Sequence, residues 1–247
     1  MLASLRFRPT LWPTLFTVPA IIVMIGLCVW QVQRLYWKEA LIADREARVA
    51  AEPVALPAPG TNADAAAVEY RRVRIEGTFL HDKELFLGAR SLNGNVGYRI
   101  LTPFALAGGG AVLVDRGWVP VARKGPESRA EGQVAGLQTV DGVARVPPGR
   151  AWMQPDNEPA NNIWFYVDLP AMAAASGVAL RTDLYVDAGP AENPGGYPVG
   201  GQTRIELPND HLQYAITWGL LAVALAVIYV LYHLKLERER HQPGASQ

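Results

Sequence analysis

The stretch PTLWPTLFTVPAIIVMIGLCVWQVQ occupies residues 9–33 and contains no Asp, Glu, Lys, Arg or His. A second uncharged stretch, LQYAITWGLLAVALAVIYVLY, occupies residues 212–232. A bilayer core of about 30 Å requires about 20 helical residues at about 1.5 Å each, so each stretch is long enough to cross a membrane. We therefore predict a membrane protein with transmembrane helices at residues 11–33 and 211–233.

Both stretches carry aromatic residues near their ends, as interfacial belts do: Trp12, Trp30, Tyr214, Trp218, Tyr229 and Tyr232. A cleaved signal peptide is the alternative for the first stretch, since Arg6 and Arg8 precede it. That stretch is longer than a typical signal core, and no A-x-A site follows.

Two spans place residues 1–10 and 234–247 on one side of the membrane. Flanking basic residues number five on each side and do not identify that side.

Residues 34–210 are enough for one domain outside the membrane. Residues 34–51 are rich in helix formers and should extend the first helix outward, with Arg34, Lys38, Leu41, Arg45 and Arg48 along one face. Residues 52–67 are rich in Ala and Pro and are predicted to form a tether. Beyond it, Val73 and Ile75 alternate with charged residues, as in a half-buried strand.

Further strands are predicted at residues 84–87, 98–104, 111–114, 139–146, 163–167 and 184–187, and a short helix at 168–176. Asp168 is its expected N-cap and Gly177 its stop. Irregular stretches at 122–136 and 188–202 indicate loops that are mobile or bind a partner. The predicted fold class is α+β: two transmembrane helices flanking a mainly β extracytoplasmic domain with minor helix.

Composition and motifs exclude several kinds of function. The chain has 23 basic and 23 acidic residues, so it lacks the net positive charge that nucleic-acid binding requires. A single cysteine, Cys28, excludes an internal disulfide and a CxxC pair. GxSxG, HExxH and P-loop motifs are missing, and Gly108, Gly109 and Gly110 precede a strand pattern, which favours a hairpin turn. We expect a protein that is not an enzyme.

His211 is the most informative of the four histidines. It stands at the start of the second span, with Tyr214, Ala215 and Trp218 at i+3, i+4 and i+7 on the same helical face. An imidazole beside two aromatic rings at a membrane interface suits an axial ligand of haem iron, with propionates able to pair with Arg34, Lys38 and Arg204. A snorkelling interfacial histidine is the alternative. His233 is about 33 Å along the helix and cannot serve the same ligand.

Several blocks of the sequence resemble the Surfeit locus protein 1 family of cytochrome c oxidase assembly factors. They are LCVWQVQR at residues 27–34, GTF at 77–79, GYRILTPF at 97–104, VDRGWVP at 114–120 and HLQYAITW at 211–218. Departures are small: Cys28 stands where Gly is often found, and Asp115 and Asp210 stand where Asn is common. The loops at 122–136 and 188–202 carry little resemblance.

The resemblance implies a two-span protein of the bacterial inner membrane, with both termini cytoplasmic and the central domain periplasmic. It also implies assistance in maturing subunit I of the oxidase, with haem a as the bound cofactor and His211 as its iron ligand. Tyr214, Trp218, Arg34 and Lys38 would complete the site in a cavity between the helices. Expected partners are subunit I, the lipid bilayer and haem a synthase. One alternative is a haem-free scaffold for subunit I. Another is a two-span sensor, which is less favoured because the 15 residues after Tyr232 are too few for an output domain.

Overall fold

The computed structural model describes residues 7–59, 62–205 and 207–240. Two long helices are present where the uncharged stretches lie, α1 (Leu11–Ala50) and α4 (His211–Arg240). In the described residues these two helices are long and apolar enough to cross a membrane. Their apolar windows are only 6% and 11% buried, unlike the core helices of soluble proteins. As predicted, α1 continues without a break through residues 34–50.

The chain divides into two compact units, one formed by the two apolar helices and one by residues 44–205. The second unit is a mainly β domain. It also contains two short helices, α2 (Asn62–Val68) and α3 (Leu169–Ser176). Asp168 caps α3 by accepting a hydrogen bond from the backbone N–H of Ala171 at 3.1 Å, and Gly177 ends it in the left-handed conformation. Both features of α3 were predicted from the sequence.

Eight strands form one sheet: β1 (Val54–Ala55), β2 (Arg72–Phe79), β3 (Leu85–Leu92), β4 (Asn95–Leu106), β5 (Ala111–Pro120), β6 (Gln138–Arg145), β7 (Ile163–Trp164) and β8 (Tyr185–Ala188). Their order is β1-β2-β6-β8-β5-β4-β3-β7. The end of β4 also pairs antiparallel with β2, so that β2, β6, β8, β5 and β4 close a barrel. At this closure a Cβ on Gly77 would lie 2.1 Å from the carbonyl oxygen of Ala105, so a larger residue does not fit.

The two faces of β5 contribute to two different hydrophobic cores. Val112 and Val114 point into the barrel, where they pack with Val73, Phe104 and Val186. Leu113, on the opposite face, packs with residues of β3, β4, β7 and α3: Leu85, Leu87, Leu101, Trp164, Leu169 and Met172. The first four residues of β5, 111–114, are all apolar, as expected for a strand that is covered on both faces.

Two predictions need correction in this domain. Residues 52–67 are not simply a tether, since β1 pairs parallel with β2 and α2 follows it. The loops at 122–136 and 188–202 contain 3₁₀ turns at Val121–Arg123, Pro126–Gly132 and Pro194–Gly196. Arg129 in the first loop is 5% exposed. That loop is therefore fixed to the sheet by a buried charge, which its composition did not indicate.

Candidate functional site

The first residue of α4 contacts α1 through a polar pair. Nδ1 of His211 lies 2.7 Å from Oε1 of Gln31. Gln31 is 9% exposed, whereas the imidazole is only partly buried. The indole of Trp30 meets the same imidazole edge to face, with ring centroids 6.5 Å apart. Two successive side chains of α1 thus fix the orientation of one histidine.

This hydrogen bond determines which nitrogen of His211 is available to a ligand. Oε1 of a carboxamide is an acceptor, so Nδ1 of His211 donates its proton to it. A neutral imidazole that is protonated at Nδ1 carries its lone pair on Nε2. Nε2 has no hydrogen-bond partner within residues 7–59, 62–205 and 207–240. A metal-binding histidine commonly has this arrangement, with the second ring nitrogen held by an oxygen acceptor.

Tyr214 and Trp218 lie on the same side of α4 as His211, as the spacing predicted. Tyr214 is 56% exposed and Trp218 is partly buried. Ala215, on the adjoining face, is only 4% exposed. The three ring-bearing residues therefore form a strip along α4 whose aromatic part is open to the surroundings.

The cavity predicted between the two helices is not present where residues 215–222 of α4 pack against α1. Ala215 and Ala222 are buried, and a Cβ on Gly219 would lie 3.7 Å from Sγ of Cys28 on α1. Together with the contact between Gln31 and His211, this packing leaves no space for a flat tetrapyrrole between α1 and α4. The residues fit axial ligation from the open side of His211, but they do not enclose a macrocycle.

Arg34 and Lys38 follow Gln31 on α1 by three and seven residues, so all three lie on one helical face. The guanidinium of Arg34 stacks on the indole of Trp37, with its carbon 3.8 Å from the ring centroid. Nζ of Lys38 donates a hydrogen bond to the carbonyl oxygen of Pro208, just before α4. Lys38 therefore supports the start of α4, while the side chain of Arg34 remains exposed.

His233 has a different environment, as its distance along α4 predicted. It is fully buried, and Nε2 accepts a hydrogen bond from the backbone N–H of Thr10 at 3.0 Å. Nδ1 lies 2.8 Å from the carbonyl oxygen of Tyr229. Both nitrogens are occupied, so His233 holds the other end of the helix pair together.

The VDRGWVP block lies on β5 and contains a bulge. β4 pairs Ile100 with Gly117 and Leu101 with Asp115, so Arg116 has no partner on the neighbouring strand. A bulge redirects the side chain of the extra residue. Arg116 consequently points to the buried carboxylate of Glu84, with Nη1 3.4 Å from Oε1. Arg129 donates to both oxygens of the same carboxylate, with Nη1 3.0 Å from Oε1.

Glu84 remains ionised within this cluster. Burial favours the neutral acid, but the nearby imidazole of His81, whose Nδ1 lies 3.7 Å from Oε1, the hydrogen bonds from Arg129 and the charges of Arg129 and Arg116 outweigh it. They lower the pKa of Glu84 to about 2. Asp115 is in the opposite situation. Burial and the nearby charge of Asp187 raise its pKa well above the ordinary range, although Arg99 opposes the shift.

Gly117 and Trp118 have structural roles in this block. Gly117 has φ of +124°, and a Cβ there would lie 2.0 Å from the carbonyl oxygen of Val199. Trp118 is 7% exposed, and its indole N–H donates to the carbonyl oxygen of Arg90 at 3.3 Å. The loop segment at Val199, which forms a bridge with Trp118, therefore packs closely on β5 because residue 117 lacks a side chain.

These features define a class of protein: a β-barrel domain inserted between two apolar helices, with one oriented imidazole at the start of the second helix. Residues 18–223 match the SURF1 family. The chain is 42% identical over 239 residues to a SURF1-like protein of Monosiga brevicollis, covering 91% of this chain and 88% of the relative. It is 39% identical over 234 residues to Surfeit locus protein 1 of Rattus norvegicus, covering 88% of this chain and 74% of the relative.

Surfeit locus protein 1 of Homo sapiens is 39% identical over 220 residues, covering 83% of this chain and 72% of the relative. The chain belongs to the SURF1 family. The resemblance inferred from the five sequence blocks is thereby confirmed. Sequence reasoning did not identify Gln31 as part of the site. Gln31 and Gln33 are both carboxamides near the end of the uncharged stretch, but only Gln31 lies seven residues before Lys38 and hence on the same helical face.

Proposed function

We propose that this protein is a membrane-bound, non-catalytic assembly factor that helps to mature subunit I of cytochrome c oxidase. Membership of the SURF1 family supports the assembly role. The exposed apolar surfaces of α1 and α4 support insertion of both helices in a lipid bilayer. In this proposal the membrane is the bacterial inner membrane, residues 1–10 and 234–247 are cytoplasmic, and the β domain is periplasmic.

The cargo in this proposal is haem a, bound through Nε2 of His211. The contact of 2.7 Å between His211 and Gln31 is the observation that carries the proposal, because it leaves a lone pair on the nitrogen that faces away from α1. The macrocycle would lie against the open strip of Tyr214 and Trp218. Arg34, whose guanidinium is exposed, would pair with a propionate.

Because the space between the helices is filled, the proposed haem site is open on one side. A ligand held from one side only, by one axial histidine, exchanges more easily than one enclosed in a cavity. Such a site suits transfer, with subunit I or haem a synthase covering the outer face of the macrocycle. The protein's own residues would orient the imidazole, supply an aromatic surface and neutralise a propionate.

A haem-free scaffold for subunit I is the second candidate function, and the filled space between α1 and α4 favours it. Purification of tagged protein from cells that make haem a distinguishes the two. The haem-binding proposal predicts that wild-type protein contains haem a and captures subunit I, whereas His211→Ala loses the haem. If wild-type protein captures subunit I without haem, the scaffold function is correct and the ligand role is wrong.

Membrane topology is tested separately. A phosphatase reporter inserted in the exposed turn at Gly108 and Gly109 should be active in the periplasm, and the same reporter fused after residue 247 should be inactive. The reverse pattern would overturn the proposed orientation while leaving the helix pair intact.

A further inference from the structure

The β domain has a second candidate site, an arginine-lined pocket of about 750 Å³. It lies wholly within residues 44–205 and is independent of the haem proposal. Arg90, Arg99, Arg145 and Arg204 contribute to its walls, and about half of the other lining residues are polar, among them Ser91, Asn93, Gln202 and Thr203. Its volume falls in the range of small-molecule sites, but a polar lining of this kind does not suit an apolar ligand.

Two of the four arginines are neutralised by buried carboxylates beneath the pocket. Nε of Arg99 lies 2.7 Å from Oδ2 of Asp115, and its Nη2 lies 2.9 Å from Oδ1 of Asp187. Nη1 of Arg145 lies 3.1 Å from Oδ2 of Asp187, which also accepts a hydrogen bond from Thr203. Asp115 and Asp187 are almost completely buried, so these contacts form a rigid floor beneath the pocket.

The other two arginines have no carboxylate partner in the described chain. Arg90 is half-buried, and its Nη2 donates to the backbone carbonyl of Phe165 at 3.0 Å. Arg204 is exposed and makes no hydrogen bond or ion pair within the described residues. Burial lowers the pKa of Arg90, and the charges of Arg99 and Arg204 lower it further. Two like charges thus remain close together and uncompensated at one polar pocket.

We propose that this pocket binds a dianionic oxyanion, a phosphate group or a dicarboxylate, between Arg90 and Arg204. Two guanidiniums that have no carboxylate partner among the described residues match two negative charges, and their planar N–H pairs suit the oxygens of phosphate and carboxylate groups. The hydroxyl of Tyr185, which also lines the pocket and has no hydrogen-bond partner in the described chain, provides a neutral donor. The rigid floor holds Arg99 and Arg145 in place below the ligand.

Isothermal titration of the full-length protein in a neutral detergent tests this site. Inorganic phosphate is the first probe and malonate the second, both at pH 7.5. Saturable binding of either probe at one site per chain is expected, and the one that binds more tightly identifies the class of ligand. Failure of both to bind in a saturable way would overturn the proposal.

Arg204→Gln is the matched test variant, because an exposed side chain that has no partner among the described residues is not needed for folding. It is expected to weaken binding of the tighter probe by about tenfold. Lys83→Gln removes the same charge from an exposed turn outside the pocket and should change the affinity by less than about twofold. Equal losses in both variants would show only general attraction of anions and would contradict the site. All titrations use protein from cells that lack haem a synthesis, so their outcome does not depend on the haem proposal.

Discussion

Oε1 of Gln31 and Nδ1 of His211 are 2.7 Å apart, although 180 positions separate the two residues in the sequence. The contact joins the two apolar helices at a point where neither partner is freely exposed to water. The contact therefore holds the two helices together, and it also fixes the tautomer and orientation of the imidazole. A function of His211 that depends on Nε2 must depend on Gln31 as well.

Gln31→Leu removes the acceptor for Nδ1 and should weaken haem binding by about tenfold without abolishing it, because the imidazole loses its preferred tautomer and orientation. Gln31→Glu keeps an acceptor and should restore most of the affinity. Haem titration followed by absorption measures both. Gln33→Leu, an exposed position two residues further along α1, is the control and should behave as wild type. Equal affinities of Gln31→Leu and wild type would contradict the positioning role.

Arg116→Ala should destabilise the β domain by about 3 kcal/mol, because it removes one of the two guanidiniums that face the buried carboxylate of Glu84. It also removes the stacking of Arg116 on the ring of Phe79. Urea unfolding followed by tryptophan fluorescence measures the change in the free energy of unfolding. The control is Arg74→Ala, whose ion pair with Asp141 is exposed to solvent and should leave the midpoint nearly unchanged.

Glu84 should cause the free energy of unfolding to decrease at acidic pH. Its pKa is about 2 in the folded state and 4.5 ordinarily, so the folded protein holds fewer protons between these values. The stabilisation is complete above pH 4.5 and is lost as the pH falls towards 2. Asp115, whose pKa is raised, gives a slope of opposite sign at higher pH. The informative quantity is therefore the difference between wild type and Glu84→Gln.

That difference should be largest at pH 7 and should narrow by about 1 kcal/mol at pH 4. At pH 4 the carboxyl of Glu84 is mostly protonated in the unfolded state but still ionised in the folded state, so proton binding favours unfolding of the wild type and not of the amide variant. Urea midpoints at pH 7, 5 and 4 measure it. A difference that stays constant down to pH 4 would mean that Glu84 is not held ionised by its arginines.

Gly117→Ala should cost about 2 kcal/mol or more, since the residue combines a positive φ with a carbonyl oxygen 2.0 Å from any added Cβ. Gly108→Ala is the matched control in the turn between β4 and β5. No heavy atom lies within 4 Å of a Cβ there, so that variant should be as stable as wild type or slightly more so. Thermal unfolding of the two variants side by side tests the comparison.

Helices and strands with a simple period could be predicted from the sequence. The two apolar helices, the extension of α1 beyond residue 33, α3 with its cap at Asp168, and the hairpin at Gly108–Gly110 follow from local patterns. The second half of β5 could not be predicted in the same way. Its bulge at Arg116 and the positive φ of Gly117 interrupt the alternation, and both are stabilised by residues distant in sequence, Glu84 and Val199.

Closure of the barrel could not be predicted from local sequence patterns either, because it depends on β4 being long enough to reach β2 at Gly77. In the helix pair, spacing alone placed His211, Tyr214 and Trp218 on one side of α4. It could not show that Gln31 holds the imidazole, or that Cys28 and Gly219 fill the space between the helices. Such contacts depend on how two separate segments pack.

The visible absorption spectrum of the purified protein tests the central claim most directly. Protein from cells that synthesise haem a should show the bands of a histidine-ligated haem a, and protein from cells that lack the synthesis should not. His211→Ala should lose these bands, while His81→Ala, which alters a histidine of the β domain, should keep them. A colourless wild-type preparation from haem-a-producing cells, or a spectrum unchanged in His211→Ala, would contradict the assignment of His211 as the iron ligand.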